Sequence, residues 1–356
     1  MNTWGNKIRI SIFGESHGKA IGAIIDGIPA GFEIDLEQIK SEMKRRKPGK
    51  NEYSTARKED DNVEILSGIL GKKTTGTPIC GIIYNHDIES KSYVQGLIRP
   101  GHADYTAYMK FNGFNDYRGG GQFSGRITAP LVFAGAICKQ VLCKKYGVSI
   151  YSHIKSIQNI EDSDFSLDCD LNNLKELKKE DFPTLNKEIK EKMKNLIMKA
   201  KNNKNSVGGI VEGIILGMKA GIGEPFFNSV ESSLSQLLFS IPSIKGVEFG
   251  EGFEITKKTG VEANDEFYYD DTKKVKTRTN SNGGILGGIT NGMPINFKVA
   301  IKPTPSIACE QKTININTKE NDVITTQGRH DPCIVPRIIP VIEATTAIGI
   351  LDLLEF

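Results

Sequence analysis

The chain contains no Cys-x-x-Cys pair: its six cysteines, Cys80, Cys138, Cys143, Cys169, Cys309 and Cys333, are scattered. Cys138 and Cys143 lie five apart in an apolar run, a setting that suits burial better than zinc. Reduced thiols and a cytoplasmic location are the expectation. The opening MNTWGNKIRI has neither an apolar h-region nor a small-residue cleavage site, so no signal peptide is read there. No window approaches the apolar length that spans a bilayer, and no membrane partner is expected. A net charge of +3 is too small for a general nucleic-acid surface. A fixed-period repeat, a low-complexity tract and a Pro/Ser-rich linker are also missing. With 356 residues available for one large core, a single domain over 1–356 is expected.

Arginine is scarce as well, supplying ten of the 46 Lys and Arg residues. Most of the ten sit in short stretches rich in Gly, Pro or His: Arg45, Arg46, Arg99, Arg118, Arg126, Arg329 and Arg337. Guanidinium is a rigid, always-charged fork that pairs bidentately with phosphate or carboxylate. A chain that uses Lys for generic charge and keeps Arg in such places points to a small bound polyanion.

Periodicity predicts strands over KIRISIF (7–13) and AIGAIIDG (20–27), joined by the turn GESHGK. A helix is predicted over 35–47, with Asp35 as N-cap and Pro48 ending it. VEILSGIL (63–70) and PICGIIY (78–84) read as strands, and 124–147 as a buried helix apolar on nearly every face. A strand follows near 148–155, then Lys/Glu-rich amphipathic helices within 171–204 that belong on the surface. Further strands are expected at 207–217, 245–250 and 294–301, a helix at 229–240 and a closing helix at 336–356. Neighbouring strands with short links, and helices in separate blocks, favour an α+β arrangement over a doubly wound parallel sheet.

GESHG, Gly14 to Gly18, matches the G-x-S-x-G pattern of a hydrolase nucleophile elbow. That elbow turns from a strand into a helix, whereas KAIGAIIDG after Gly18 is β-prone. No acid or histidine can be assigned to Ser16 either, so the chemistry is placed on His17.

Of the five histidines, His17, His102 and His330 lie in polar turns: GESHG, RPGHADYT and QGRHDPC. Loop histidines commonly just face water, but here Arg99 precedes His102, while Arg329 and Asp331 flank His330. Groups titrating near neutrality beside fixed charges are how acid and base roles become separated. Neither H-x-x-x-H nor Cys/His spacing occurs, and adjacent Arg opposes a cation, so no metal is expected. DYRGGGQFSGR (116–126) offers backbone N–H groups and Arg126 where a buried helix begins, a natural anion cradle. NGGILGG (282–288) permits close backbone approach to a flat or phosphorylated ligand, and KPTPS (302–306) adds Lys302 and two hydroxyls. Neither a P-loop nor a Rossmann fingerprint occurs. These residues alone point to an enzyme acting on a small phosphorylated or carboxylated compound, without specifying the reaction.

The motifs GESHG, DGIPAG, RRKPG, TTGTPI, RPGHADYT, DYRGGGQFSGR, GIGEP, KGVEFGEGF, SNGGILGGI, KPTPS and QGRHDPCIVPR, in this order, resemble the chorismate synthase family over nearly the whole chain. The Lys/Glu-rich part near 158–205 matches weakly. The resemblance implies a β-α-β sandwich, with antiparallel sheets flanking a helical layer, assembled as a homotetramer. It also implies conversion of 5-enolpyruvylshikimate 3-phosphate to chorismate by 1,4-anti elimination of phosphate, with reduced FMN and no net redox change. NADPH would serve only as a reductant. By the same resemblance His17 meets the departing phosphate, His102 supports the protonation state of the flavin, and Asp331 assists removal of the ring proton. Ser16 neighbours the substrate, and Arg46, Arg57, Arg126 and Arg337 lie where its anions are held, with Arg329 among them. Flavin contacts are implied for Ser124, Gly287, Lys302, Pro303, Thr304, Pro305, Ser306 and Arg329. This chain departs from the family pattern at Lys47, Glu52, Gln122-Phe123 and Pro242-Ser243.

Overall fold

The computed structural model describes residues 2–49, 59–87, 93–326 and 330–354. The alternating run near the start forms the strand Arg9–Gly14, which turns through GESHG and pairs antiparallel with Ala20–Asp26, Phe13 opposite Gly22. Ile79–Tyr84 joins on the far side of Ala20–Asp26, and the edges are Thr3–Trp4 and Glu64–Ser67. VEILSGIL is not one strand: Gly68, at φ +84°, breaks it, and Ile69–Leu70 pairs instead with Lys73–Thr74. A second five-stranded antiparallel sheet among the described residues runs in the order Ile244–Phe249, Ile295–Ile301, Gly209–Leu216, Ser149–Ile157, Ile160–Glu161.

The buried helix Thr128–Val141 packs on the first sheet and against the closing helix Val335–Leu353, which itself packs on Ser149–Ile157 and Gly209–Leu216 of the second. At the helix crossing, a Cβ on Gly135 would lie 2.3 Å from that of Ala344. Only glycine allows the two backbones to approach so closely. The run Gly125–Tyr146 is long and apolar enough to cross a bilayer, contrary to the expectation from sequence, but 78% of its apolar window is buried in the fold. It is a core helix.

Asp35 caps the helix Leu36–Arg46 by accepting N–H bonds from Glu37 (2.9 Å) and Gln38 (3.2 Å). Lys44, Arg45 and Arg46 in its last turn complement the negative end of the helix dipole. Arg45 does not serve an anion site: it forks onto Glu343 at 2.6 and 2.9 Å and also reaches Glu42. Lys139 joins both carboxylates at 2.8 Å, and Lys178 joins Glu42. Burial would raise the Glu343 carboxyl, but Arg45 and Lys139 hold it down at about 2. Each charge in this buried cluster has an opposite partner, so removing one would strand the rest. Asp352 in the closing helix accepts the N–H groups of Asn6, Lys7 and Ile8 at 3.0, 2.7 and 2.8 Å.

The Lys/Glu-rich segment forms Leu171–Leu177 and Lys187–Asn202, whose apolar sides carry buried Leu174, Leu177, Met193 and Ile197. Leu174 and Leu177 meet Tyr151, Phe165 and Ile214 in a small satellite core. His153 is buried nearby, bonded to Glu212 at 2.8 Å, and has a structural place.

Candidate active site

In GESHG the Gly18 N–H closes on the Glu15 carbonyl at 3.0 Å, making a tight turn between strands. Ser16 points inward, 1% exposed; its N–H donates to the Gly121 carbonyl (3.2 Å) and its Oγ to that of Gly119 (3.1 Å). Its hydroxyl therefore supports the Gly-rich loop Arg118–Phe123, and the strand-turn-strand geometry is not a nucleophile elbow. Gly119 has φ +60°, and a Cβ there would sit 2.5 Å from His17 Nε2. The loop has to be glycine at that point for His17 to stand where it does.

His17 lines a cavity of about 640 Å³, which His102 and His330 also line. The three polar turns thus converge from distant parts of the sequence. The His17 ring meets Tyr93 edge-on at 5.3 Å between centroids, and the Arg99 guanidinium lies over the same Tyr93 at 5.1 Å. Arg99 is forked onto Asp104 at 2.8 and 2.7 Å. His102 Nε2 is 2.7 Å from Ser306 Oγ. Burial first, then Arg99, His330 and Lys302, push the His102 imidazole down to about 3 against the pull of Asp104. It is a neutral ring at physiological pH, able to donate from one nitrogen and accept at the other. Lys302 donates to the Gly101 carbonyl at 2.6 Å, which ties the KPTPS segment to the turn of His102. Burial and the charge of Lys245 lower the Lys302 ammonium.

Arg46 and Arg126 share one buried carboxylate. Asp61 accepts from Arg46 Nη1 at 2.8 Å and from Arg126 Nη1. Arg46 also donates to the Gly125 carbonyl (2.9 Å), and Arg126 Nε to Asn85 Oδ1 (3.0 Å). Burial would raise Asp61, but Arg46 and Arg126 hold it below its usual range. Burial lowers Arg46 to about 10, with Arg337 and Arg126 adding to the effect, so it is still a cation at neutral pH. Arg337 Nη1 bonds Asp331. The cations are fixed by carboxylates before any ligand arrives, so little reorganisation is left for the moment of reaction.

Ser124, Lys302, Thr304, Pro305, Ser306, Arg46, Arg126, Asp331 and Arg337 all line the cavity. Pro303 falls between two lining residues without being one, and buried Ser16 is not a lining residue either. Gly287 does not reach this cavity. It sits in the hairpin between Ile285–Leu286 and Ile289–Thr290, where the Gly288 carbonyl receives the Val230 N–H at 3.0 Å. The hairpin meets the start of the helix Val230–Ser240, whose far end, Phe239 and Ser240, borders the cavity. Arg57, Arg329 and Glu52 lie outside the described residues. Gln122, Phe123, Pro242 and Ser243, four of the departures from the family pattern, line the cavity too, whereas Lys47 pairs with Asp60 outside it. Asn85, Asp61, Glu59 and Tyr93 went unread in the sequence, since they belong to no motif recognisable by residue type. Among the described residues, no three His, Cys, Asp or Glu side chains gather as a metal site.

The cavity has the size of a ligand site, and its arginine, lysine and hydroxyl lining suits a polyanion. Ser124, Lys302, Thr304, Pro305 and Ser306 line it together with the arginines, Ser124 Oγ accepting the Arg126 backbone N–H at 3.3 Å, and a Cβ at Gly119 would intrude on His17. The chorismate synthase family model matches residues 8–354. The chorismate synthase of Methanocaldococcus jannaschii is 47% identical over 365 aligned positions, covering 99% of this chain and 96% of its own. That of Methanothermobacter thermautotrophicus is 44% identical, covering 99% and 93%, and that of Dehalococcoides mccartyi 43%, covering 99% and 96%. A crystal structure of chorismate synthase superposes with a TM-score of 0.76 at 30% identity, covering 98% of this chain and 92% of that one. Matched along nearly its whole length, the chain belongs to the chorismate synthase family.

Proposed function

We propose that this chain converts 5-enolpyruvylshikimate 3-phosphate to chorismate and phosphate by 1,4-anti elimination in the presence of reduced FMN. The observation that carries this reading is the convergence of His17, His102 and Asp331 on one cavity walled by Arg46, Arg126 and Arg337. Loss of phosphate needs the developing charge met by fixed donors in a site poor in water. His17 stands beside the cavity with Arg126 behind its turn, suited to give a proton or a positive field to the departing group. The substrate carboxylates and phosphate are partners for Arg46, Arg126 and Arg337, whose guanidinium forks suit such anions. Asp331, held by Arg337, can take up a proton released from the ring. Ser124, Lys302, Thr304, Pro305 and Ser306 would hold the flavin, and neutral His102, bonded to Ser306, would support its protonation state. Reduced FMN, when bound, supplies transient electron density that no side chain offers.

The reading extends to one domain in a β-α-β sandwich, a cytoplasmic homotetramer, and NADPH as reductant only. Anaerobic enzyme with substrate and pre-reduced FMN should form chorismate over many turnovers from one reduced pool. Repeating the assay with oxidised FMN and NADPH tests whether the chain reduces its own flavin. Stoichiometric consumption of reduced flavin would instead indicate an oxidoreductase and overturn the elimination.

A further inference from the structure

We infer that Asn85 is a positioning residue that locks the turn carrying His17 to the guanidinium of Arg126. Asn85 follows the strand Ile79–Tyr84, is 9% exposed, and is not among the residues that line the cavity. Its Nδ2 donates to the carbonyls of Glu15 (3.1 Å) and Gly18 (2.9 Å), the residues either side of Ser16 and His17. Its Oδ1 accepts from Arg126 Nε at 3.0 Å, and its own N–H donates to the Lys19 carbonyl at 3.0 Å. Two carbonyls require the NH₂ end and a guanidinium requires the oxygen, so the partners set the amide orientation. Aspartate could accept from Arg126 but could not donate to the carbonyls, and an apolar side chain could do neither. A short carboxamide meets both demands from one position. His17 and Arg126 therefore form one rigid unit, which keeps the imidazole at a fixed separation from a cation. Resting on the elimination proposed above, that separation sets where both meet the departing phosphate.

The test uses Asn85→Ala and Asn85→Asp in the full chain, with exposed Lys179→Ala as a control. Asn85→Asp retains an acceptor for Arg126 but releases the turn. Its kcat should fall by about 10- to 100-fold, the loss typical of a 1 Å misplacement, with KM near wild type. Asn85→Ala releases both ends, so kcat should fall and KM rise. In flavin-free protein the His17 ring resonances should shift or broaden in both variants and not in Lys179→Ala. Wild-type kcat with an unmoved His17 resonance in either folded variant overturns the lock. Should neither variant fold, wild-type enzyme labelled at asparagine decides: slow exchange of the Asn85 side-chain amide protons supports the lock, and free exchange refutes it. Absence of chorismate formation by wild-type enzyme would defeat the elimination while leaving the resonance and exchange tests intact.

Discussion

Gly119→Ala would place a methyl carbon 2.5 Å from His17 Nε2, 2.7 Å from its Cδ2 and 2.9 Å from Ser16 Oγ. Ordinary contact starts at 3.4 Å, so the imidazole would have to retreat by about 0.9 Å. Ser16 cannot give way easily, because its N–H and Oγ are bonded to the same loop. Two separable effects follow. Holding alanine at φ +60° costs about 1–2 kcal/mol. For a chain of this length that lowers Tm by roughly 1–3 °C. Displacing His17 by close to 1 Å should lower turnover by about 100-fold. Gly31→Ala separates the two, since Gly31 has φ +79° but nothing within 4 Å of a new Cβ. It should lower Tm by a similar amount and leave turnover unchanged. The assay is kcat for chorismate formation with reduced FMN saturating, beside thermal unfolding of each variant. Wild-type kcat in Gly119→Ala, or an equal loss in Gly31→Ala, would refute the view that this loop sets the position of His17.

His17→Ala should lower kcat by about 10²–10⁴-fold, whereas Ser16→Ala should be far milder; a larger loss for Ser16→Ala would restore the nucleophile reading. Asp61→Asn strips the shared charge from Arg46 and Arg126 and should destabilise the fold by about 3–5 kcal/mol, read as a lower urea midpoint. An unchanged midpoint would show that the two guanidinium groups do not depend on Asp61. His102 titrates at about 3 in the folded chain against an ordinary 6.5, so as pH falls the unfolded chain takes up the proton first. Its contribution to stability is complete above 6.5 and is lost as pH falls from 6.5 toward 3. His102→Gln should flatten that part of the stability profile, and an unaltered slope would show that the ring is not held neutral.

Local features were the legible ones. Asp35 before an apolar period predicts its helix, and the alternation after Asn6 predicts a strand, because both signals are carried within a few residues. Three polar turns could be marked as sites from residue type, and they do converge. Long-range side-chain pairing was not legible: Asp61 meets Arg126 across 65 positions and Asn85 meets it across 41. Arg45 and Arg46 show the same limit within one helix. They are adjacent, yet about 100° of helical rotation sends one to Glu343, 298 positions away, and the other to the cavity. The helix Asp104–Lys110 was missed because it is short and has no side-chain cap. Gly288, where a Cβ would lie 2.6 Å from that of Ser229, shows that a Gly-rich motif marks a close backbone approach without saying what approaches.

The attachment of Asp352 to the backbone of Asn6, Lys7 and Ile8 has a consequence for the newborn chain. These bonds span 344 to 346 positions, and the cavity itself needs both His17 and Arg337. At about 5–20 residues per second of synthesis, His17 precedes Arg337 by roughly 16–64 s. Throughout that interval Thr128–Val141 and the second sheet lack the closing helix that packs on them, and topologies dominated by such distant pairings fold slowly. Catalytic competence is therefore postponed until Arg337 and Asp352 have been made. A stalled or shortened polypeptide would hold reactive side chains without ever assembling the pocket that gives them a substrate.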